Sequence, residues 1–448
     1  MKVLRRIFAL FICFTIVLST FTLVYGKSVK KLSGEITFWH FNDDEANMLA
    51  RAFEKVNPGV IVKEEITTDI VGNYQIKIQT ASRMGQLPDV YAAEDVFIKA
   101  FVNMPNGYRP MDFDDVDDVV SKIAPYVVEI GTNNEGQIVA LSHEANIGGI
   151  GYKRSIAKQY LKTDDPVVIG EMLKPENMIE TGRKLKEASK GKAILWISYE
   201  EFFKVHLGSR KHGWIEDGKF VIDDKVYELF ELAKALRREG LEGGLSQWQE
   251  AWSYSIQDDI HMCYAIPTWG LNWIIDCRES DEVMVMTNDI HPEPGTGGRW
   301  GITTTVPYYE GGTWFGISQT SKNPELAWEF IKFITTNEEF HDSLAHSDQF
   351  GRTFSSNIDF IEKYKADDSF INKVVNQNIY QAYGEVYDKI DGSIVTEYDY
   401  DISSMLMECL RIYFEGEISE DEMWALFRQM VETELTEENI AHIQVYVE

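Results

Sequence analysis

Hydrophobic positions recur at every second residue from Gly34 to His40, with Ile36, Phe38 and His40 on one side, which predicts a strand. The period then changes. Ala46, Leu49, Ala50, Phe53 and Val56 fall at helical spacing and predict a helix over Asp43 to Val56, stopped by Asn57-Pro58-Gly59. Val60 to Ile66 returns to strand. Residues 70–84 read as a helix with Tyr74, Ile78 and Ala81 on one face, and Pro88 to Ala93 as a third strand. Strands alternating with helices predict a parallel sheet covered by helices, an α/β fold. Such sheets bind ligands beyond the carboxyl ends of their strands. Two loops are thereby nominated, Trp39 to Asp44 and Glu94-Asp95.

Further on, Gln137 to Ser142 reads as a strand leading into His143-Glu144. A mixed region from about 148 to 285 carries helical patterns around 171–190 and 223–238. A Gly- and Pro-rich stretch, 291–312, precedes a strand at Thr313 to Ser318. Asn323 and Pro324 then open a helix whose apolar face is Leu326, Ala327, Phe330, Ile331 and Ile334. The remainder to 448 is mostly helical in pattern. The acidic run Asp112 to Asp118 lacks the Gly of a calcium loop and reads as a solvated loop.

At 448 residues the chain is too long for one ordinary core. Its N-terminus reads as an export signal. Lys2, Arg5 and Arg6 precede an apolar run from Ile7 to about Val24, and cleavage is expected after Gly26; an uncleaved anchor is the alternative. Removal of 1–26 would take the net charge from −29 to −32, because that segment holds three basic and no acidic residues. So negative a chain disfavours nucleic acid and anionic membrane surfaces as partners. Cys13 follows Phe11-Ile12 rather than a small residue, so the chain does not read as a lipoprotein. Of Cys263, Cys277 and Cys409, the first two are closest in sequence for a disulfide, and three buried thiols are the alternative.

Five segments resemble the extracellular solute-binding protein family 1, the group that includes maltose-binding protein. They are Glu35-Ile-Thr-Phe-Trp-His-Phe41; Phe53-Glu-Lys-Val-Asn-Pro-Gly59 with Val60-Ile-Val62; Lys77 to Ala81 with Gly85-Gln-Leu-Pro-Asp-Val90; Gly311-Gly-Thr-Trp-Phe-Gly-Ile-Ser318 with Ala327 to Ile334; and Leu406 to Phe427. The resemblance implies a two-lobed periplasmic-binding-protein-like fold (type II), with a sheet flanked by helices in each lobe and a ligand cleft between them. Lobe 1 is expected at 34–143 and 290–338, lobe 2 at 144–289 and 339–448. The lobes are expected to close by hinge bending. The implied function is capture of a mono- or oligosaccharide outside the membrane and delivery to an ABC permease, by a periplasmic or extracellular monomer with no cofactor and no metal.

A sugar ring offers an apolar C–H face and a rim of hydroxyls, so its site combines aromatic rings with carboxylates, amides and Arg. The nominated loops supply Trp39, His40, Asn42, Asp43, Asp44, Glu94 and Asp95. Trp39 has a core reading beside the ligand reading, and Asp43 or Asp44 a helix-capping one. His143 and Glu144 fall where the family's first crossing segment reaches the cleft. Thr268-Trp269-Gly270 resembles a cleft element of the family and nominates Trp269. Trp314 follows Gly311-Gly312, where a ligand can approach the backbone, and Tyr309 and Arg352 complete the set. Trp248 and Trp252, four apart, read as core packing.

The chain is not read as an enzyme. It has no G-x-S-x-G, H-E-x-x-H, P-loop or C-x-x-C motif. A Glu94–Glu144 pair acting on a glycoside is the catalytic alternative. A non-sugar solute and a sensor-linked receptor also remain open. The scarcity of Arg in the nominated loops leans towards a neutral sugar.

Overall fold

The computed structural model describes residues 31–69, 72–275, 299–346, 353–372 and 374–437. The expected leader, Cys277 and Arg352 lie outside the described residues. Strand β1 (Ser33–His40) pairs in parallel with β2 (Gly59–Ile66) along its whole length. Helix α1 (Asp43–Val56) joins them and buries Ala46, Leu49, Ala50 and Phe53, as its spacing predicts; Val56 instead ends the helix half-exposed. Helix α2 (Asn73–Met84) buries Tyr74, Ile78 and Ala81 and leads to β3 (Val90–Glu94), parallel to β1. Helix α3 (Asp95–Val102) follows without a break, and the expected strand near 140 is only β4 (Ala140–Leu141).

The second lobe begins at β5 (Ile150–Lys153). Helix α4 (Pro175–Ala188), β6 (Ile194–Trp196), α5 (Tyr199–Leu207), α6 (Asp224–Glu239) and β7 (His261–Ala265) follow. Strand β8 (Trp300–Thr303) pairs antiparallel with β5 and completes a four-stranded sheet in the order β8-β5-β7-β6. The chain then returns. Strand β9 (Thr313–Ile317) inserts antiparallel between β3 and β4, giving the first sheet the order β2-β1-β3-β9-β4. Helix α7 (Pro324–Thr336) covers that sheet with Ala327, Phe330, Ile331 and Ile334. Helices α8 (Asp399–Phe414) and α9 (Glu420–Glu437) pack back on the second lobe through Leu406, Leu410, Phe427 and Val431.

The observed pairing moves two expected boundaries. Residue 290 is too early for the return to lobe 1, because Trp300–Thr303 still belongs to the second sheet. Residue 338 is too early for the departure, because Phe340 and Leu344 pack in the first lobe's core. A composition shift marks a loop, whereas backbone pairing and apolar burial decide which lobe owns it.

Three segments run side by side between the lobes. Gly148 N donates to Tyr308 O (2.7 Å) and Glu310 N to Asn146 O (3.0 Å), while Ala145 N donates to Phe354 O (2.8 Å). Cys263 and Cys409 are free buried thiols. Among the described residues no helix is long and apolar enough to cross a membrane.

Asp89 knots the first lobe together. Its Oδ2 accepts from Thr37 N and Thr37 Oγ1, both at 2.9 Å, and its Oδ1 from Ser321 Oγ at 2.6 Å. Burial opposes its ionisation, but these bonds outweigh it and hold the carboxyl below its usual range. Asp89→Ala is expected to lower the unfolding free energy by about 2–3 kcal/mol, measured by urea denaturation; an unchanged value would mean the knot contributes nothing net.

Candidate functional site

A cleft of about 2070 Å³ lies between the lobes. Its first wall is built from the carboxyl ends of β1 and β3, as the parallel topology requires. Asn42 caps α1, its side-chain oxygen accepting from Glu45 N at 3.0 Å, and this turns Glu45 towards the cleft. Glu94 ends β3 and Asp95 begins α3. Asp95 is clamped by the returning chain: Gly311 N donates to its Oδ2 (2.8 Å) and its own N donates to Gly312 O (3.0 Å). Gly311 and Gly312 have φ of +84° and +122°, which L side chains rarely adopt. A Cβ on Gly311 would also stand 2.7 Å from Trp269 Nε1, so the glycine lets the indole reach Glu310 O (2.8 Å).

The opposite wall comes from α5, whose N-cap Ser198 accepts from Glu201 N. Glu200 accepts from Ser246 Oγ at 2.8 Å. Lys204 donates to Glu310 Oε1 at 2.8 Å and also to Gln247. Trp248 stacks on Trp269 with ring centroids 6.1 Å apart and planes 14° apart. Trp248, Trp273 and Tyr400 all line the cleft and are 55%, 54% and 58% exposed.

Burial dominates the electrostatics. It raises Glu94 to about 7, with Asp95 and Asp69 adding to the effect, and Glu201 to about 7. It raises Asp95 to about 6 against the opposing Gly311 bond. Glu45 rises well above its ordinary value through burial and then Glu144, and Glu144 is itself raised by burial. His40 and His143 are both pushed down to about 3 by burial, so both imidazoles are neutral. Asn42 N donates to His40 Nδ1 (2.8 Å), which leaves Nε2 to face Glu45 Oε2 at 3.5 Å. His143 Nε2 lies 3.8 Å from Glu45 Oε1.

Of the nominated residues, the structure brings Asn42, Asp44, Glu94, Asp95, His143, Glu144, Trp269 and Tyr309 to the cleft. Four belong elsewhere. Trp39 points away on the alternating face of β1, with Lys77 Nζ 4.0 Å above its ring. His40 is fully buried behind Glu45. Asp43 is exposed on the first turn of α1. Trp314 is a core residue, 2% exposed, its indole donating to Val127 O at 2.9 Å. The core reading of Trp252 holds, with its indole donating to Glu201. That of Trp248 fails, because φ is +67° there and helix begins only at Glu250. Glu45, Glu201, Lys204 and Glu310 were not anticipated; the acidic residue three after Asn42 was the one available signal, a capping pattern. Among the described residues no group of three or more His, Cys, Asp or Glu is arranged to hold a metal.

Residues 48–370 match the family model described as bacterial extracellular solute-binding protein. The chain belongs to that family. No curated protein sequence matches it. Solved structures share the fold of this solute-binding protein at low identity. A family 1 extracellular solute-binding protein superposes with a TM-score of 0.72 at 18% identity, covering 89% of this chain and 99% of its own. The galacto-N-biose/lacto-N-biose I-binding protein of an ABC transporter from Bifidobacterium longum gives 0.67 at 13%, covering 92% and 99%. The sugar-binding protein MalE from Xanthomonas citri gives 0.68 at 14%, covering 91% and 100%. Family and fold are those of binding proteins rather than enzymes.

The raised carboxyls fix a sign for stability. Glu94 takes up its proton in the folded chain near pH 7 but in the unfolded chain near 4.5, so the fold loses stability as pH rises from about 4.5 to about 7, and the loss is complete above that. Glu94→Gln is expected to be more stable than wild type at pH 8 by about 1–3 kcal/mol, with the difference vanishing below about pH 4.5, in denaturation series across pH. A pH-independent difference would refute burial of the Glu94 charge.

Proposed function

We propose that this solute-binding protein takes up a carbohydrate in the interlobe cleft and hands it to the membrane permease of an ABC importer, working outside the cytoplasmic membrane as a monomer. The observation that carries this reading is the group of three exposed aromatic rings, Trp248, Trp273 and Tyr400, lining the same cleft as buried carboxylates. Large rings left in water serve a ligand with an apolar face. A sugar has that face and also the hydroxyls that Glu94, Asp95, Glu144 and Glu201 can accept from. The cleft volume exceeds the few hundred to a thousand cubic ångströms of an ordinary small-molecule pocket, which favours an oligosaccharide over one ring. Two structural neighbours are named for sugars they bind or as sugar-binding, which points the same way. The carboxylates act as hydrogen-bond acceptors here, with no chemical step.

Closure of the two walls on the solute would use the three crossing segments as hinge. Glu310 sits on one of them and is held to the second lobe's wall by Lys204 and Trp269, while the next residue, Gly311, donates to Asp95 of the first.

A thermal-shift screen against mono- and oligosaccharides, amino acids and polyols tests the reading. An oligosaccharide at 100 times its Kd should stabilise the fold by about 2.7 kcal/mol. Trp248→Ala should weaken that binding by about 10- to 100-fold without lowering the ligand-free melting temperature, and Trp39→Ala should leave it unchanged. Shifts with amino acids alone would overturn the carbohydrate assignment.

A further inference from the structure

Four carboxylates share the first lobe's wall of the cleft: Glu45 from α1, Glu94 and Asp95 from the β3–α3 turn, and Glu144 from the first crossing segment. Thr313, opposite Glu94 in the sheet, has its Oγ1 3.5 Å from Glu45 Oε2, and His143, the neighbour of Glu144, has its Nε2 3.8 Å from Glu45 Oε1, so the carboxyls gather about the start of β9 and raise one another. Among the described residues no Lys or Arg forms an ion pair with any of the four. Of the cations lining the cleft, Lys204 is held by Glu310 at 2.8 Å and acts on Asp95 only weakly against burial, Arg210 pairs with Asp399, Arg411 pairs with Glu408 and Glu415, and Lys99 donates to the backbone oxygens of Glu129 and Thr132. The basic side chains that face Glu45 are His40 and His143, and burial keeps both neutral. Four polar atoms at or behind this wall are buried without a hydrogen-bond partner, His40 Nε2, Glu45 Oε1, His143 Nδ1 and Asn146 Nδ2, and Asn146, which lines the cleft, is only 5% exposed.

Neutral hydroxyls can bond these oxygens but bring no counter-charge, so carboxyls already raised by burial and by one another would resist ionisation further in a site dried by closure. One ammonium group supplies three N–H donors and the missing positive charge. Resting on the carbohydrate reading, we propose that the solute is an amino sugar, an oligosaccharide carrying a protonated amine that is held among Glu45, Glu94, Asp95 and Glu144. N-acetylation removes the charge and keeps the ring, so acetylated and free forms of one oligosaccharide isolate this recognition.

The test is calorimetric titration of the purified protein with glucosamine and galactosamine oligosaccharides, each as the free amine and fully N-acetylated. The free amines should bind at least about 10-fold tighter than their acetylated counterparts. Glu144→Gln should shrink that preference to within about threefold, and Trp248→Ala should weaken both forms alike. Glu94→Gln, nearer the surface, serves the same purpose if Glu144→Gln does not fold. Equal or tighter binding of the acetylated or another neutral oligosaccharide overturns the amine proposal and leaves the carbohydrate reading standing. Binding of aliphatic diamines with no binding of any oligosaccharide, or no binding at all, overturns both.

Discussion

The insertion of Thr313–Ile317 between β3 and β4 is the constraint on which the cleft depends. This strand has come back from the other lobe and runs antiparallel to its neighbour, with Thr313 opposite Glu94 and Ile317 opposite Val90. Antiparallel pairing delivers the chain to the sheet at the carboxyl end of β3, where the ligand wall is built. The two residues before the strand must therefore thread between Asp95 and Trp269. Only residues without a Cβ fit that passage in the observed conformation, and both positions are glycine. One register thus sets the Asp95 clamp, the Trp269 orientation and the placement of Glu310 between the walls.

The crossing segments follow from the same requirement. A sheet that takes its fourth strand from a distant part of the chain must be linked to the other lobe more than once. Three crossing segments supply that linkage, and backbone bonds tie the first of them to each of the other two. Apolar packing continues through this region, from Phe97 and Tyr126 in the first lobe by way of Ile147 to Ile266, Ile302 and Tyr383 in the second. The lobes therefore meet over a solid floor, and above it Glu45, His143, Asn146, Arg210, Gln247 and Glu310 each bring a buried polar atom without a hydrogen-bond partner to the cleft's lining.

Much of the fold was legible because it rests on periodicity. The first three strands and two helices, and the helix opened by Pro324, appear where hydrophobic spacing put them, since each buries one face against one layer. The site was legible only where topology placed it, at the ends of β1 and β3. Side-chain direction was the main source of error. Trp39 and Trp314 sit next to the right loops but on strands, where a shift of one residue turns a ring to the other face. Trp248 and Trp252 looked like one helical face, but a left-handed residue at Trp248 places the helix start between them and turns the first ring to the cleft. Lys204 and Glu310 are 106 residues apart, and no local pattern announces a pair made where a crossing segment meets a lobe.

Where local rules are broken, the breaks converge. Left-handed Trp248, the glycine pair, neutral His143 against a carboxylate and a wall of mutually repelling acids all belong to one cleft. Each is unfavourable alone. A core would have evolved them away, because an apolar residue of the same shape is cheaper at a buried site that binds nothing. Their persistence in one place has a physical reason if the unfavourable terms are relieved when the cleft closes on a solute. Carboxylates raised by burial gain most from new donors, and exposed rings gain most from a covering surface. On the proposed reading, the same groups that make the cleft a weak point of the fold would supply the free energy of closure, so that the protein stays open when empty and shuts when loaded.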